Sequence, residues 1–293
     1  MSRITIGAML SAGLLLTACG SSSAPTTPSP SLSPAASVSA AAAKPSGASA
    51  LPALQGTLTI FAAASLTEAF NQMKSDIEAA NPGAKVILNY AGSQVLRTQI
   101  AQGAKADLFA SADMANMDGA TSDGSIDGQP IVFVHNKLAV VAPAANTKVN
   151  VLQDLAKPGT KIVIEQPSVP AGNYSRQAFL KMSKDAAFGA DFSDKVLANV
   201  VSQETDVKSV LSRIQLGEAD AGLLYVSDIA TAQAGTVKSV AIPDQFNVIA
   251  DYPIALVKNA PNAAAAKAFL TYLTSAQGGQ VILAKSGLVP ISG

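Results

Sequence analysis

An α/β fold with largely parallel sheets is the class this sequence predicts. Three observations carry it. Short apolar runs rich in Val, Ile, Leu and Ala alternate with segments whose apolar residues recur at helical spacing. Clusters containing Gly and Pro punctuate the alternation, and no internal repeat is present. Aromatic residues are 5% with no Trp, while hydrophobic residues reach 48%, so the core is built from Ala, Val, Leu and Ile.

The elements follow in order along the chain. Residues 57–62 read as a strand, and the helix after it places Leu66, Ala69, Phe70, Met73 and Ile77 on one face before Asn81-Pro82-Gly83 stops it. Residues 85–90 form a strand, 94–102 a helix closed by Gly103, and 107–110 a third strand. Further strands are expected at 137–142, 161–164, 221–225 and 248–257. The helix after Asp206 carries Val207, Val210, Leu211 and Ile214 as one stripe, with Gly217 at its end. Two closing helices cover 263–274 and 277–285.

The amino-terminal part has a different character. Residues 1–18 hold one basic residue, Arg3, and an apolar run too short to span a bilayer, which reads as a secretory signal. It ends in Leu16-Thr17-Ala18-Cys19, which resembles a bacterial lipobox, with Cys19 as the lipidated residue. The stretch 19–55 is Ser, Ala, Pro and Thr with a single charge, Lys44, and is expected to be a disordered tether. As a flexible coil it would reach roughly 30–36 Å. The folded unit is then 56–293.

Composition excludes several function classes. The 20 basic and 20 acidic residues cancel, which argues against a nucleic-acid partner. With one His and one Cys, a zinc site of the usual ligand sets and an internal disulfide are not expected, and no cofactor is implied. No G-x-S-x-G segment is present, so a serine-dependent enzyme would have His135 as its sole imidazole, and we expect no catalytic residues.

In open α/β sheets ligands sit beyond the carboxyl ends of strands, near helix amino termini. Four segments meet that criterion. Ala62-Ala63-Ala64-Ser65-Leu66-Thr67-Glu68 opens the first helix, where Ser65 and Glu68 also fit a capping box. Ala91-Gly92-Ser93-Gln94 opens the second. The turn Ser168-Val169-Pro170-Ala171-Gly172-Asn173-Tyr174 and the strand end Leu223-Leu224-Tyr225 complete the set. Each alone fits a plain cap, loop or core tyrosine as well as a ligand site.

The segments Ile60-Phe61-Ala62-Ala63-Ala64-Ser65-Leu66-Thr67, Ala91-Gly92-Ser93 and Ala106-Asp107-Leu108-Phe109-Ala110-Ser111-Ala112-Asp113 resemble those of molybdate-binding proteins of bacterial ABC importers. So do Val169-Pro170-Ala171-Gly172 and Gly222-Leu223-Leu224-Tyr225, in the same order. The resemblance implies a two-lobed type II periplasmic-binding-protein fold, each lobe a mainly parallel sheet flanked by helices, with two interlobe crossovers. Lobe one would be about 56–135 plus 251–293, and lobe two about 136–250. It further implies that Ser65 and Ser93 bind the oxyanion with hydroxyl and backbone donors, Ala171 and Val207 with backbone N–H groups, and Tyr225 with its phenol. Lys208 adjoins this set and is expected on the solvent side of its helix, while His135 belongs to the crossover.

The implied function is an extracytoplasmic lipoprotein that captures molybdate, and tungstate of nearly the same size and charge, and passes it to a membrane permease. It would act as a monomer. A receptor for another tetrahedral oxyanion such as sulfate is the main alternative.

Overall fold

Two sheets facing each other across a cleft organise the chain, and the computed structural model describes residues 53–291. The signal 1–18, Cys19 and the tether up to residue 52 lie outside the described residues. The folded part begins earlier than residue 56: Leu54 is buried, and its N–H donates to Asn81 Oδ1 at 3.1 Å. An apolar side chain at the end of a polar stretch had a core to enter, and composition averaged over the stretch hid it.

The first sheet is entered through β1 (Gly56–Ala63), α1 (Thr67–Ala80), β2 (Ala84–Ala91), α2 (Ser93–Ala101), β3 (Leu108–Ala110), α3 (Met114–Ser122) and β4 (Ile126–Asn136). The chain then passes into β5 (Leu138–Pro143), β6 (Ile162–Glu165), α4 (Pro170–Met182), α5 (Phe192–Ala198), β7 (Val200–Glu204), α6 (Val207–Gln215), β8 (Ala221–Tyr225), α7 (Val226–Ala230) and β9 (Val237–Ala241). It returns through β10 (Ala250–Val257), α8 (Ala263–Thr274), α9 (Gly279–Lys285) and the two-residue β11 (Val289–Pro290).

The strand orders are β11-β4-β10-β3-β1-β2 and β7-β6-β8-β5-β9. Apart from β11, the two orders follow one plan. In lobe one, β1, β2 and β3 are parallel, β10 is antiparallel to β3, and β4 is antiparallel to β10. Strand β4 therefore runs in the sense of β1 to β3. In lobe two, β6, β7 and β8 are parallel, β5 is antiparallel to β8, and β9 is antiparallel to β5. Each main sheet thus has its strands in one sense, broken by a single reversed strand, and the reversed strand is the one arriving from the other lobe.

The two passes between lobes lie side by side. Asp251 pairs with His135 and Ala250 with Asn136 in the β10–β4 ladder. His135 Nδ1 meets Asp251 Oδ1 at 2.8 Å, so the histidine is structural and belongs to the crossover. Beyond the ladder, the Asn247 side chain accepts from the Leu138 N–H at 3.1 Å and donates to the Leu138 carbonyl at 2.7 Å. Lobe one packs Phe70 of α1 against Phe133 of β4 and Phe269 of α8, with ring centroids 6.1 and 5.7 Å apart. The carboxyl-terminal helices are therefore part of lobe one's core. A separate cluster of Phe179, Phe188, Phe192 and Phe246 fills lobe two.

Candidate functional site

Five strand ends meet in the cleft. The chain leaves β1 through a 3₁₀ turn at Ala64–Leu66, leaves β2 directly into α2, leaves β6 into α4 and β7 into α6, and β8 ends at Tyr225. Because the parallel strands of both sheets aim their carboxyl ends at the cleft, these segments arrive from opposite sides. Ser65 and Ser93 of lobe one and Ala171, Val207 and Tyr225 of lobe two line one pocket, together with Gly92, Ala112, Pro170 and Asp206. All five sequence-predicted residues are brought together. The enclosed space is small, about 10 Å³.

The pocket wall is a ring of donors. The N–H groups of Ser65, Ser93, Ala171 and Val207 each lie in the first turn of a helical segment, where no acceptor exists within the turn, and none is met elsewhere among the described residues. Asp206 caps α6 by accepting from the Ser209 N–H at 3.0 Å and the Ser209 hydroxyl at 3.0 Å, so its carboxylate is occupied by its own helix. The Tyr225 hydroxyl is buried and makes no hydrogen bond of standard geometry among the described residues. Burial first, then the neighbouring Tyr252 and Tyr174, push its pKa well above the usual phenol value, so it keeps its proton.

Both serine hydroxyls have a partner behind the pocket. The Ala112 N–H donates to Ser93 Oγ at 2.9 Å, and since an amide can only donate, the Ser93 proton is free for the cleft. Ser65 Oγ lies 2.8 Å from the Tyr252 hydroxyl. Asn136 Nδ2 approaches that same hydroxyl at 3.4 Å, while Asn136 Oδ1 accepts from the Lys137 N–H at 3.0 Å, which fixes the amide orientation. Tyr252 thus stands between Asn136 and Ser65 in one hydrogen-bonded chain, and either hydroxyl of the Ser65–Tyr252 pair can be the donor. Tyr252 and Asn136 were not singled out as site residues in the sequence. The signal was Tyr252 itself, a large residue with one polar atom in the returning crossover.

Two expectations are corrected. Ser65 and Glu68 do not form a capping box, because the 3₁₀ turn precedes α1, the residue at the cap position is Leu66, and no side chain caps that helix. Nor does Lys208 face solvent. Its ammonium group bridges Glu68 and Asp228, because the first turn of α6 lies against lobe one.

The closed cleft is tight at Gly92. A Cβ there would lie 2.4 Å from the Thr205 carbonyl oxygen of lobe two, although the backbone (φ −61°) would accept any residue. The glycine serves close approach between lobes, and Gln94 Nε2 donates to the same carbonyl at 3.1 Å. A larger groove of about 760 Å³ opens beside α2 and α3. It contains the already matched Arg97–Asp123 pair and none of the five donors.

Comparison with known proteins agrees with this geometry. The model of the bacterial extracellular solute-binding protein family matches residues 58–289. The chain belongs to that family. It is 38% identical over 283 residues to the molybdate-binding protein ModA of Mycobacterium tuberculosis, covering 96% of this chain and 95% of the relative. It is 33% identical over 222 residues to the putative ABC transporter substrate-binding lipoprotein YvgL of Bacillus subtilis, covering 75% and 81%. Among solved structures it is similar to the substrate-binding domain of a putative molybdenum ABC transporter from Clostridium difficile, at 30% identity and TM-score 0.61, covering 81% of this chain and all of that one. Family membership makes the chain an extracytoplasmic solute-binding protein that works with a membrane transporter, and not an enzyme. Neither pocket serine has a base beside it in this family member: Ser65 meets Tyr252 and Ser93 meets the Ala112 amide.

One buried acid stands apart from the donor ring. Glu165, at the carboxyl end of β6, is fully buried and neither carboxyl oxygen has a hydrogen-bond partner among the described residues. Burial, with Asp228 and Asp206 nearby, pushes its pKa up to about 8, so it is neutral at pH 7. A raised acid stabilises the fold fully below its ordinary value of 4.5, and that contribution is lost as pH rises through about 8. Glu165→Gln, neutral at every pH, should therefore match the parent protein near pH 4.5. At pH 9 it should be more stable by a few kcal/mol, since raising a pKa by one is worth about 1.4 kcal/mol. Urea denaturation at the two pH values measures this, and equal differences at both would refute the buried neutral acid.

Proposed function

We propose that this chain is the extracytoplasmic receptor that captures molybdate, and tungstate alike, in the interlobe pocket and delivers it to the permease of an ABC importer. The observation that carries the reading is the convergence of hydrogen-bond donors from both lobes on one small pocket. Ser93 receives a hydrogen bond from the Ala112 amide, which leaves its own proton for the pocket, Ser65 adds a hydroxyl paired with Tyr252, and Tyr225 adds a buried phenol. With the free N–H groups of Ser65, Ser93, Ala171 and Val207, the ring is made of donors. A fully deprotonated tetrahedral dianion accepts from every side and fits such a ring. A protonated oxyanion such as hydrogen phosphate brings a donor, and the one carboxylate in the lining, Asp206, already accepts from Ser209, so such an ion fits the ring less well. Helix amino termini from both lobes supply the favourable potential without a fixed cation. The molybdate binding named for the Mycobacterium tuberculosis relative supports the choice of ion.

A lipid anchor at Cys19 completes the proposal. The lipobox Leu16-Thr17-Ala18-Cys19 supports it, and so does the lipoprotein named in Bacillus subtilis. The chain between Gly20 and the buried Leu54 would then act as the tether of a monomeric receptor near the membrane face.

The direct test is a thermal-shift panel on the protein with molybdate, tungstate, sulfate and phosphate. A ligand of the native state adds RT ln(1 + [L]/Kd), about 2.7 kcal/mol at a hundredfold excess. Molybdate and tungstate should raise the melting temperature and phosphate should not; a larger shift with sulfate would overturn the choice of ion. Ser93→Ala should weaken molybdate binding by roughly 1.5–3 kcal/mol, and Tyr252→Phe by about 0.5–1.5 kcal/mol through the Ser65 hydroxyl it no longer holds in place. Calorimetric titration reads both, and unchanged affinity in Ser93→Ala would remove that serine from the site.

Cys19→Ser should move the protein from the membrane fraction to the soluble fraction while leaving the melting shift with molybdate intact. A processed form still held in the membrane fraction would refute lipidation at Cys19.

A further inference from the structure

The cleft is crossed by a charge cluster that takes no part in the donor ring. Glu68 lies in the first turn of α1 in lobe one, Lys208 in the first turn of α6 in lobe two, and Asp228 in the first turn of α7 in lobe two. Lys208 Nζ stands 3.0 and 2.8 Å from the two Oε atoms of Glu68 and 3.0 Å from Asp228 Oδ1. The three side chains differ in exposure: 38% for Glu68, 28% for Lys208 and 0% for Asp228. The Asp228 contact lies off hydrogen-bond alignment, so the carboxylate is compensated by the ammonium charge rather than by a directed bond.

The two carboxylates are unequal partners. Asp228 belongs to the same lobe as Lys208, so that pair survives any movement of the lobes. Glu68 reaches Lys208 from the other lobe, so that pair depends on the separation of the lobes. Lys208 is also the residue after Val207, whose N–H faces the pocket.

We propose that Glu68, Lys208 and Asp228 form the closure latch of the receptor, with Lys208 as a positioning residue rather than a ligand. Asp228 holds the ammonium group at the cleft edge while the lobes are apart. Closure then adds Glu68 to a cation that is already in place, so little side-chain freedom is lost at that moment. The completed latch fixes the first turn of α6 and with it the Val207 donor. It also matches the Glu68 carboxylate, which would otherwise face the cleft unpaired beside an incoming dianion. The expected signature is in dissociation: an interaction made only in the closed form slows opening and leaves the open form unchanged.

The proposal rests on the receptor reading, and the experiment separates the two. Release of radiolabelled molybdate, chased with unlabelled molybdate, is followed for the parent chain, Glu68→Gln and Glu68→Lys. Glu68→Gln should release about two- to tenfold faster, and Glu68→Lys faster still, since it sets two like charges across the cleft. The ligand-free melting temperature should not move in Glu68→Gln. Added salt should speed release from the parent more than from Glu68→Gln, because only the parent has the pair to screen. Equal release rates in the parent and Glu68→Gln, or an equal fall in melting temperature with and without ligand, would overturn the latch. If the parent binds sulfate but not molybdate, the choice of ion falls and the same release measurement with labelled sulfate decides the latch. If it binds none of the four oxyanions, the receptor reading and the latch fall together.

Discussion

The reversed strand in each sheet is the constraint on which the cleft depends. A chain that crosses between lobes and returns must enter the second sheet against the direction of its neighbours. Here β5 and β10 do so, each inserted between two strands of the other sense. With those two strands as shared beams, the remaining strands of both sheets aim their carboxyl ends at one gap. The helical turns that follow them then have no choice but to present N–H groups there, since the first amides of a helix have no internal acceptor. The donor ring is thus a property of the topology before it is a property of any side chain.

Side chains refine what the backbone supplies. Serine at 65 and 93 places a hydroxyl at a first turn, and what lies behind each hydroxyl holds it in place. For Ser93 the partner is a backbone amide at Ala112, which cannot act as an acceptor. For Ser65 it is Tyr252, whose position on the returning crossover ties the pocket to the strand that joins the lobes. Asn136, the last residue of β4, donates both to Tyr252 and, at 2.8 Å, to the Ser227 hydroxyl of lobe two. The hinge and the donor ring therefore share one hydrogen-bond network.

Much of this was legible in the sequence, and the gaps have physical causes. Strands such as 221–225 and helices such as 263–274 were readable because burial on one or both faces leaves an apolar period. Helix α3 was not readable: its sequence MANMDGATS has no apolar stripe, and it is started by the Asp113 side chain accepting from the Asn116 N–H. Strands β7 and β9 are sheet edges with partly exposed, polar-mixed sequences, so their pairing comes from a neighbour distant in sequence. At the site, the five pocket-lining residues stand at strand ends with small-residue turns, a local pattern. Tyr252 and the Glu68–Lys208 pair depend on which surfaces meet across the cleft, and a reading along one chain does not contain that.

The treatment of Lys208 shows how a receptor can hold a dianion and still give it up. A lysine in contact with the ion would add a strong, charge-assisted bond in a water-poor pocket, and release would slow accordingly. This chain has a lysine one residue from a pocket-lining amide, yet two carboxylates hold its ammonium group. The cation's attraction is spent between the lobes instead of on the ion. Dipoles that cannot titrate hold the ligand, and an ion pair that can break holds the lobes. Opening the cleft then loosens both at once: separation removes Glu68 from Lys208 and draws the donors of lobe one away from those of lobe two. In the proposed receptor, separating the lobes would take the ion from half of its donors without any group having to change its charge.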